Sequence, residues 1–97
     1  MIITQDTFVC KPGNASKVAK LFKEVMANDK RVLYILTDMT GQFNRVIMVS
    51  QYDDLAAYEK SWEEMKNPTP EMQEAMKKMA NYTEMYQTGS REILKVW

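Results

Sequence analysis

The chain has 97 residues, 45% of them hydrophobic, which is enough for one domain with a thin core spanning residues 1–97. Its 13 basic and 13 acidic residues cancel, so nucleic acid and anionic membrane surfaces are not expected as partners. No apolar run is long enough to cross a bilayer and no signal-peptide pattern is present, so we expect a soluble cytoplasmic protein with no membrane partner. The single cysteine, Cys10, is compatible with a reducing compartment.

The first third of the chain predicts a strand followed by a helix. Ile2–Cys10 carries strand-forming residues in imperfect alternation and ends at Lys11-Pro12-Gly13. Asn14 is a suitable cap for the helix that follows. That helix is predicted from one apolar stripe at helical spacing: Ala15, Val18, Leu21, Phe22, Val25 and Met26.

The middle of the chain predicts a β-hairpin, with strands Val32–Met39 and Arg45–Tyr52 joined by a short loop that contains one glycine. Both strands are apolar on both faces. Alternation places Val32, Tyr34 and Leu36 opposite Leu33, Ile35 and Met39 in the first strand, and Val46 and Met48 opposite Ile47 and Val49 in the second. Exposing one such face to water would forfeit about 1.5–3 kcal/mol per side chain. Both faces of the hairpin therefore need cover.

Two further helices are predicted after the hairpin. Asp53 is the expected cap of the first, whose buried stripe is Leu55, Tyr58, Trp62 and Met65. Its polar side is mainly acidic and that of the N-terminal helix is basic, so we expect these two helices to lie side by side. Thr69 and Pro70 then begin a third helix, with an apolar stripe of Met72, Ala75, Met76 and Met79.

The C-terminal segment predicts a strand at Tyr82–Tyr86, a turn near Thr88-Gly89-Ser90 and a last strand at Glu92–Trp97. The order of elements is that of an α+β protein with the ferredoxin-like βαββαβ arrangement, in which an antiparallel sheet carries its helices on one face. The apolar residues of the other face then lack cover. We therefore expect a homodimer whose two sheets pack face to face, about 10 Å apart.

Three short motifs suggest a family. Lys11-Pro12-Gly13 follows the first strand, Gly41 and Asn44-Arg45-Val46 lie in the hairpin, and Tyr52-Asp53-Asp54-Leu55 opens the second helix. In these motifs and in element order, nearly the whole chain resembles the NIPSNAP-like branch of the dimeric α+β barrels, a superfamily that includes the antibiotic-biosynthesis monooxygenases. The resemblance implies a homodimeric barrel with a small-molecule pocket between the sheet and the helices of each subunit. It implies no established reaction.

The chain contains no histidine, which excludes Ser-His-Asp and Cys-His nucleophiles, histidine metal sites and an imidazole base. The haem-degrading relatives in the same superfamily use an axial histidine on the second helix, where this chain has Tyr58 and Trp62. No phosphate-binding glycine loop or dinucleotide fingerprint is present, and the acidic residues do not form a spacing typical of a hard-cation site. We therefore predict no metal and no cofactor, and assign no residue a catalytic role.

Four residues are candidate ligand contacts. Tyr58 and Trp62 lie one turn apart on the second helix, where they either fill the core or stack on a flat aromatic ligand. Arg45 and Gln5, like Asp38 and Asp6, are polar residues in strands, and each either faces solvent or orients a ligand.

Three hypotheses for the function remain open at this point. The first is a NIPSNAP-like homodimer that binds a small aromatic molecule. The second is a cofactor-independent monooxygenase acting on an aromatic or polyketide-like substrate, and the third is a structural or regulatory dimer without a ligand. Whether the chain is an enzyme is not decided by its sequence.

Overall fold

A computed structural model describes residues 1–97 as a four-stranded antiparallel sheet with helices packed on one face. In chain order the elements are β1 (Ile2–Cys10), α1 (Ala15–Val25), β2 (Val32–Thr37), β3 (Arg45–Tyr52), α2 (Leu55–Lys66), α3 (Pro70–Lys78), a 3₁₀ turn (Tyr82–Glu84) and β4 (Tyr86–Lys95). The strand order is β2-β3-β1-β4, with β1 antiparallel to both of its neighbours. This is the ferredoxin-like order, so the predicted α+β class is confirmed. None of the helices is long and apolar enough to span a bilayer.

The core lies between α1 and the two central strands. Val18 and Phe22 of α1 are fully buried, and they pack with Cys10, Val46 and Met48 of the sheet in one cluster. The Phe22 ring also meets Phe8 of β1 edge-on, with the ring centroids 5.0 Å apart. The stripe predicted for the first helix therefore forms the main contact between the helix layer and the sheet.

The face of the sheet opposite the helices carries a second apolar surface, which we call the open face. By register and alternation its apolar members are Ile3, Val9, Tyr34, Leu36, Ile47, Val49 and Leu94. Tyr34 is 62% exposed. The molecule measures 36 × 35 × 20 Å, and its thin dimension holds one sheet and one layer of helices, so no part of this chain covers the open face.

The hairpin differs from its prediction in two details. A β-bulge between Val32 and Tyr34 shifts the alternation, so Val32 packs towards the core with Ile35 whereas Tyr34 and Leu36 lie on the open face. β2 also ends at Thr37 instead of Met39. It ends there because the Asp38 side chain accepts a hydrogen bond from the backbone N–H of Arg45 at 2.7 Å, which replaces the next contact between the strands.

The C-terminal segment was predicted wrongly. No turn occurs at Thr88-Gly89-Ser90, because β4 runs without a break from Tyr86 to Lys95 and the predicted strand at Tyr82–Tyr86 is mostly a 3₁₀ turn. Gly89 pairs with Phe8 of β1. A Cβ atom on Gly89 would lie 3.3 Å from the carbonyl oxygen of Thr7, so this glycine permits a close approach of two strands and does not mark a turn.

Two of the predicted helix caps are corrected. Asn14 precedes α1 but makes no capping hydrogen bond, since its backbone is already close to helical geometry and not extended. Asp54 caps α2 instead of Asp53, and its Oδ1 accepts a hydrogen bond from Ala57 N–H at 2.8 Å. Thr69 caps α3 and Pro70 is its first residue, as predicted.

The predicted buried stripe of the second helix is also wrong, because α2 contains no buried residue. The expected pairing of α1 with α2 is replaced by contact between α1 and α3, where Lys78 forms an ion pair with Glu24 at 2.9 Å. On α2, Glu64 pairs with Arg31 at the start of β2, at 3.4 Å. On the acidic side of α2, Glu64 is therefore paired with the residue that precedes β2, and Glu63 with Lys66 of α2 itself.

Candidate functional site

The helix-facing side of β4 is open to solvent. α2 approaches the sheet mainly along β3, and every β4 residue after Tyr86 is exposed. Arg91 and Ile93 lie on this side of β4, since their partners in the register, Asp6 and Thr4, face the helix layer. The result is an accessible surface that is bordered by α2 on one side and by the last strand on the other.

A polar and aromatic group occupies this surface, and we call its members, Asp6, Tyr52, Tyr58, Trp62 and Arg91, the Arg91 cluster. The register places Asp6 directly opposite Arg91, and Arg91 Nε donates a hydrogen bond to Asp6 Oδ1 at 2.6 Å. The Arg91 side chain remains 44% exposed. The ion pair therefore joins the first and last strands without removing the guanidinium from solvent.

Aromatic rings extend from Arg91 along α2. The guanidinium carbon lies 4.9 Å from the centroid of the Trp62 ring, within the range of a cation–π interaction. Tyr58 precedes Trp62 by one helical turn and meets it edge-on at 6.2 Å, and Tyr52 of β3 meets Tyr58 in the same way at 5.0 Å. Trp62 is 41% exposed, so the aromatic row is accessible at its Arg91 end.

The electrostatics of the cluster centre on Arg91. Partial burial alone would lower the pKa of Arg91, but its hydrogen bond and charge interaction with Asp6, with smaller contributions from Tyr58 and Tyr52, raise that pKa above its ordinary value. The guanidinium therefore stays cationic. Its Nη1 and Nη2 atoms have no acceptor within the chain, since its single hydrogen bond is made by Nε.

A second aromatic group lies beside the core. The rings of Tyr82 and Tyr86 stack with centroids 5.6 Å apart, and both contact Phe8 edge-on. Burial raises the pKa of Tyr82, and the neighbouring Tyr86 raises it further whereas the charge of Arg91 acts in the opposite sense. These rings belong to the packed part of the molecule and extend from the core towards the Arg91 cluster.

The four predicted ligand contacts are divided between distant places. Tyr58 and Trp62 are both in the Arg91 cluster. Arg45 instead folds over the hairpin loop, where its Nε and Nη2 donate to the carbonyl oxygens of Gln42 and Thr40 at 3.0 and 3.1 Å. Gln5 lies on the open face, since its partners are Val49 and Glu92. Within one subunit Gln5 and Arg45 therefore do not share a site with the two aromatic residues.

Sequence reasoning missed two members of the cluster, Tyr52 and Arg91, of which Arg91 is the more consequential. Asp6 is a polar residue of the first predicted strand, but the predicted turn at residues 88–90 and the predicted strand at Glu92–Trp97 leave Arg91 in neither element. Recognising Gly89 as a strand residue would have extended β4 and placed Arg91 in alternation with Gly89 and Ile93. The pairing of Asp6 with Arg91 also requires the register of β1 and β4, which local sequence does not determine.

Outside the Arg91 cluster, the other features that could bind or react are a concavity beside the hairpin and Cys10. A concavity of about 430 Å³ lies between the start of α1 and the hairpin, where Gly13, Ser16, Asp38 and Phe43 are among its lining residues. No three carboxylate or thiol side chains converge at any point. Cys10 is buried, and this burial raises the pKa of its thiol, which disfavours the reactive thiolate.

Comparison with known proteins finds one family whose sequence pattern matches most of the chain. The sequence pattern of the NIPSNAP family matches residues 6–96. No curated protein is similar enough in sequence to be matched to the chain.

Solved structures with the same fold include several NIPSNAP proteins. A NIPSNAP family protein from Agrobacterium tumefaciens is 14% identical, with a TM-score of 0.81 over 99% of this chain and 92% of its own. An uncharacterised NIPSNAP domain protein from Burkholderia xenovorans is 16% identical, with a TM-score of 0.78 over 100% and 95% of the two chains. A provisionally assigned antibiotic biosynthesis monooxygenase from Deinococcus radiodurans is 14% identical, with a TM-score of 0.60 over 100% and 93%. At these identities the similarity establishes a shared fold.

Proposed function

Because this chain belongs to the NIPSNAP family, we propose that it is a homodimeric α+β barrel protein that binds a small planar aromatic molecule between α2 and β4 of each subunit. The observation that carries this proposal is the half-exposed Trp62, whose ring lies against the Arg91 guanidinium on a surface that no other element covers. Dimerisation through the open face leaves that surface accessible, because the two lie on opposite sides of the sheet.

The surface area of the isolated chain supports the dimer. The chain exposes 7073 Å², whereas a folded monomer of its mass is expected to expose about 5,700 Å². The excess of about 1,300 Å² is similar to the area that each partner buries in a stable homodimer. The open face contributes to this excess with contiguous apolar side chains that include Leu36, Ile47 and Val49.

The aromatic residues support the ligand site. A helix whose apolar side chains served only to fill a core would bury them, yet none of the residues of α2 is buried. An exposed Trp62 ring, with the partly buried Tyr58 beside it and a fixed cation against it, forms a suitable surface for a flat molecule. The rings supply stacking area and the cation fixes orientation. Of the two interpretations that their spacing left open, core packing and ligand stacking, we therefore propose the second for Tyr58 and Trp62.

The dimer is tested by sedimentation velocity at micromolar concentration. We expect the wild-type chain to sediment as a dimer and Val49→Asp to sediment as a monomer, since Val49 lies on the open face. Leu55→Asp is the matched control, because it places the same charge on an exposed apolar residue of α2 and should leave the dimer intact. A stable monomer of the wild-type chain would overturn this part of the proposal.

The ligand site is tested by NMR titration with 2-naphthoate, 2-naphthamide and 2-naphthol. The chain has two tryptophans, so its indole N–H signals supply an internal control. We expect at least one compound to shift the Trp62 signal to saturation and to leave the signal of Trp97 at its free position. If no compound moves the Trp62 signal at millimolar concentration, the proposed site is overturned and a dimer without a ligand remains.

The Arg91 cation also favours a second candidate, the cofactor-independent monooxygenase. A nearby cation stabilises a phenolate or enolate, the electron-rich form of a substrate that can donate electrons directly to O₂. With anthrone as the probe, the ring carbon would be oxidised to a carbonyl and one O₂ consumed, giving anthraquinone and one water. Oxygen consumption above the uncatalysed rate that is lost in Arg91→Gln supports this candidate, and the uncatalysed rate alone excludes it for anthrone.

A further inference from the structure

We propose that Arg91 determines which ligands this site accepts, and that the ligand is a planar aromatic carboxylate. This inference rests on the proposed function, since it specifies the chemistry of the molecule bound between α2 and β4. It follows from the unpaired donors of Arg91, the way in which its side chain is held, and the charges around it.

The guanidinium has donors to spare. Arginine carries five N–H bonds in a planar fork, and Arg91 uses only the one at Nε, in its hydrogen bond to Asp6. The four N–H bonds of Nη1 and Nη2 have no acceptor in the chain. A carboxylate is the group whose two oxygens match this pair of nitrogens, and such bidentate pairs are among the strongest hydrogen-bonded contacts in proteins.

The Arg91 side chain is also preorganised. Asp6 holds Nε from the neighbouring strand, and Trp62 holds the guanidinium from α2 at 4.9 Å. Contacts from two different elements reduce the conformational entropy that the side chain loses on binding. A ligand whose carboxylate binds the Nη atoms would place its attached ring near Trp62 and Tyr58. For this reason we propose that the body of the ligand is planar and aromatic.

The local charges favour an anion. Asp6 balances Arg91, and Lys95 adds a second cation on the same side of β4. Two of the three carboxylates of α2 are engaged elsewhere, since Glu63 pairs with Lys66 and Glu64 with Arg31, each at 3.4 Å, whereas Glu59 forms no ion pair. Arg91, Lys95 and Asp6 together leave one formal positive charge on this side of the sheet, which favours a monoanionic ligand over a cationic one.

The inference is tested by calorimetric titration with 2-naphthoate and its neutral isostere, 2-naphthamide. We expect the wild-type chain to bind the carboxylate at least ten times more tightly than the amide, and Arg91→Gln to bind the two compounds equally. Arg91→Lys retains the positive charge and loses the planar fork. The logarithm of its affinity ratio, carboxylate over amide, should therefore be less than half of the wild-type value. Arg45→Gln is the matched control and should leave the preference unchanged.

The outcomes separate this inference from the proposed function. If the wild-type chain binds both compounds with equal affinity, or if Arg91→Gln retains the preference for the carboxylate, the inference is overturned and the ligand site stands. If neither compound binds, the ligand site itself is overturned, and the inference with it. Arg91→Gln also removes the ion pair with Asp6, so the fold of this variant is checked by circular dichroism, and its spectrum should match that of the wild type. Arg91→Lys tests the role of the planar guanidinium while a positive charge remains beside Asp6.

Discussion

α1 and α2 lie on the same face of one sheet, yet their apolar side chains have different surroundings. Val18 and Phe22 of α1 are fully buried, whereas α2 has no buried residue although it contains Trp62 and Tyr58. Complete burial of a large apolar side chain contributes about 1.5–3 kcal/mol, so the stability of the fold is concentrated under α1. An apolar stripe at helical spacing therefore identifies a helix but does not show whether the stripe is buried in the core or accessible at the surface.

The largest expected effect is on stability when a large aromatic residue is removed from each helix. Phe22→Ala should lower the free energy of unfolding by about 3–5 kcal/mol, because it leaves a cavity in the packed core. Trp62→Ala should lower it by about 1 kcal/mol or less, since the side chain is only partly buried. Urea denaturation of the two variants measures both values, and equal losses would remove the distinction between the two helices.

Hydrogen exchange tests the same distinction without mutation. Backbone amides of α2 should exchange at least about ten times faster than those in the centre of α1, because local opening of α2 exposes little apolar surface. Saturating 2-naphthoate should slow exchange in α2 more than in α1. Equal protection of the two helices in the free chain would indicate that α2 is as firmly held as α1.

A smaller effect is expected at the helix caps, where the sequence alone suggested Asn14 and Asp53. Asp54→Ala should destabilise the protein by about 1 kcal/mol, because the Ala57 N–H loses its acceptor. Asn14→Ala should change stability by a few tenths of a kcal/mol at most, since the Asn14 side chain caps nothing. Thermal unfolding followed by circular dichroism measures both, and an equal loss from Asn14→Ala would contradict the described start of α1.

The smallest expected effect concerns the polar attachment of α2. Arg31 donates hydrogen bonds to Asp29 and to Glu64, the second of which is in α2. Partial burial of Asp29 would raise its pKa, but the hydrogen bonds and the charge of Arg31 lower that pKa below its ordinary value. A lowered carboxyl pKa stabilises the folded protein at pH values above the ordinary pKa of about 3.9, and this stabilisation is lost as the pH falls through the lowered pKa. Asp29→Asn should therefore cost less than about 1 kcal/mol at pH 7. The difference from wild type should shrink in urea titrations as the pH falls through the lowered pKa of Asp29. A difference that does not change with pH would show that packing, and not charge, causes the loss.

Much of the fold could be predicted because its signals are local. β1 has the predicted bounds, and the stripe of α1, the start of α3 at Pro70 and the two-sided apolar character of β3 are all confirmed. The errors occurred where a local signal had two meanings. Gly89 reads as a turn residue in sequence, but in the sheet it avoids contact with the backbone of Thr7.

The site could be predicted only in part, because it depends on pairs of residues that are far apart in sequence. Tyr58 and Trp62 share a helix face, and their spacing alone placed them together. Arg91 meets Asp6 only through the register of β1 and β4, and it meets Trp62 only through the position of α2 over the sheet. Gln5 was a reasonable candidate by residue type, but alternation in β1 places it on the open face, one residue away from Asp6 on the helix side.

The contact between Asp6 and Arg91 joins positions 85 residues apart, and this gives the protein a practical property. A molecule bound there would contact both the first and the last strand, so it should stabilise the whole fold and raise its melting temperature. At a hundred times its dissociation constant such a compound adds about 2.7 kcal/mol, which corresponds to a rise of about 10 °C or more in melting temperature for a chain of this size. A library of metabolites can thus be screened with a dye and a heating block, before any reaction is known.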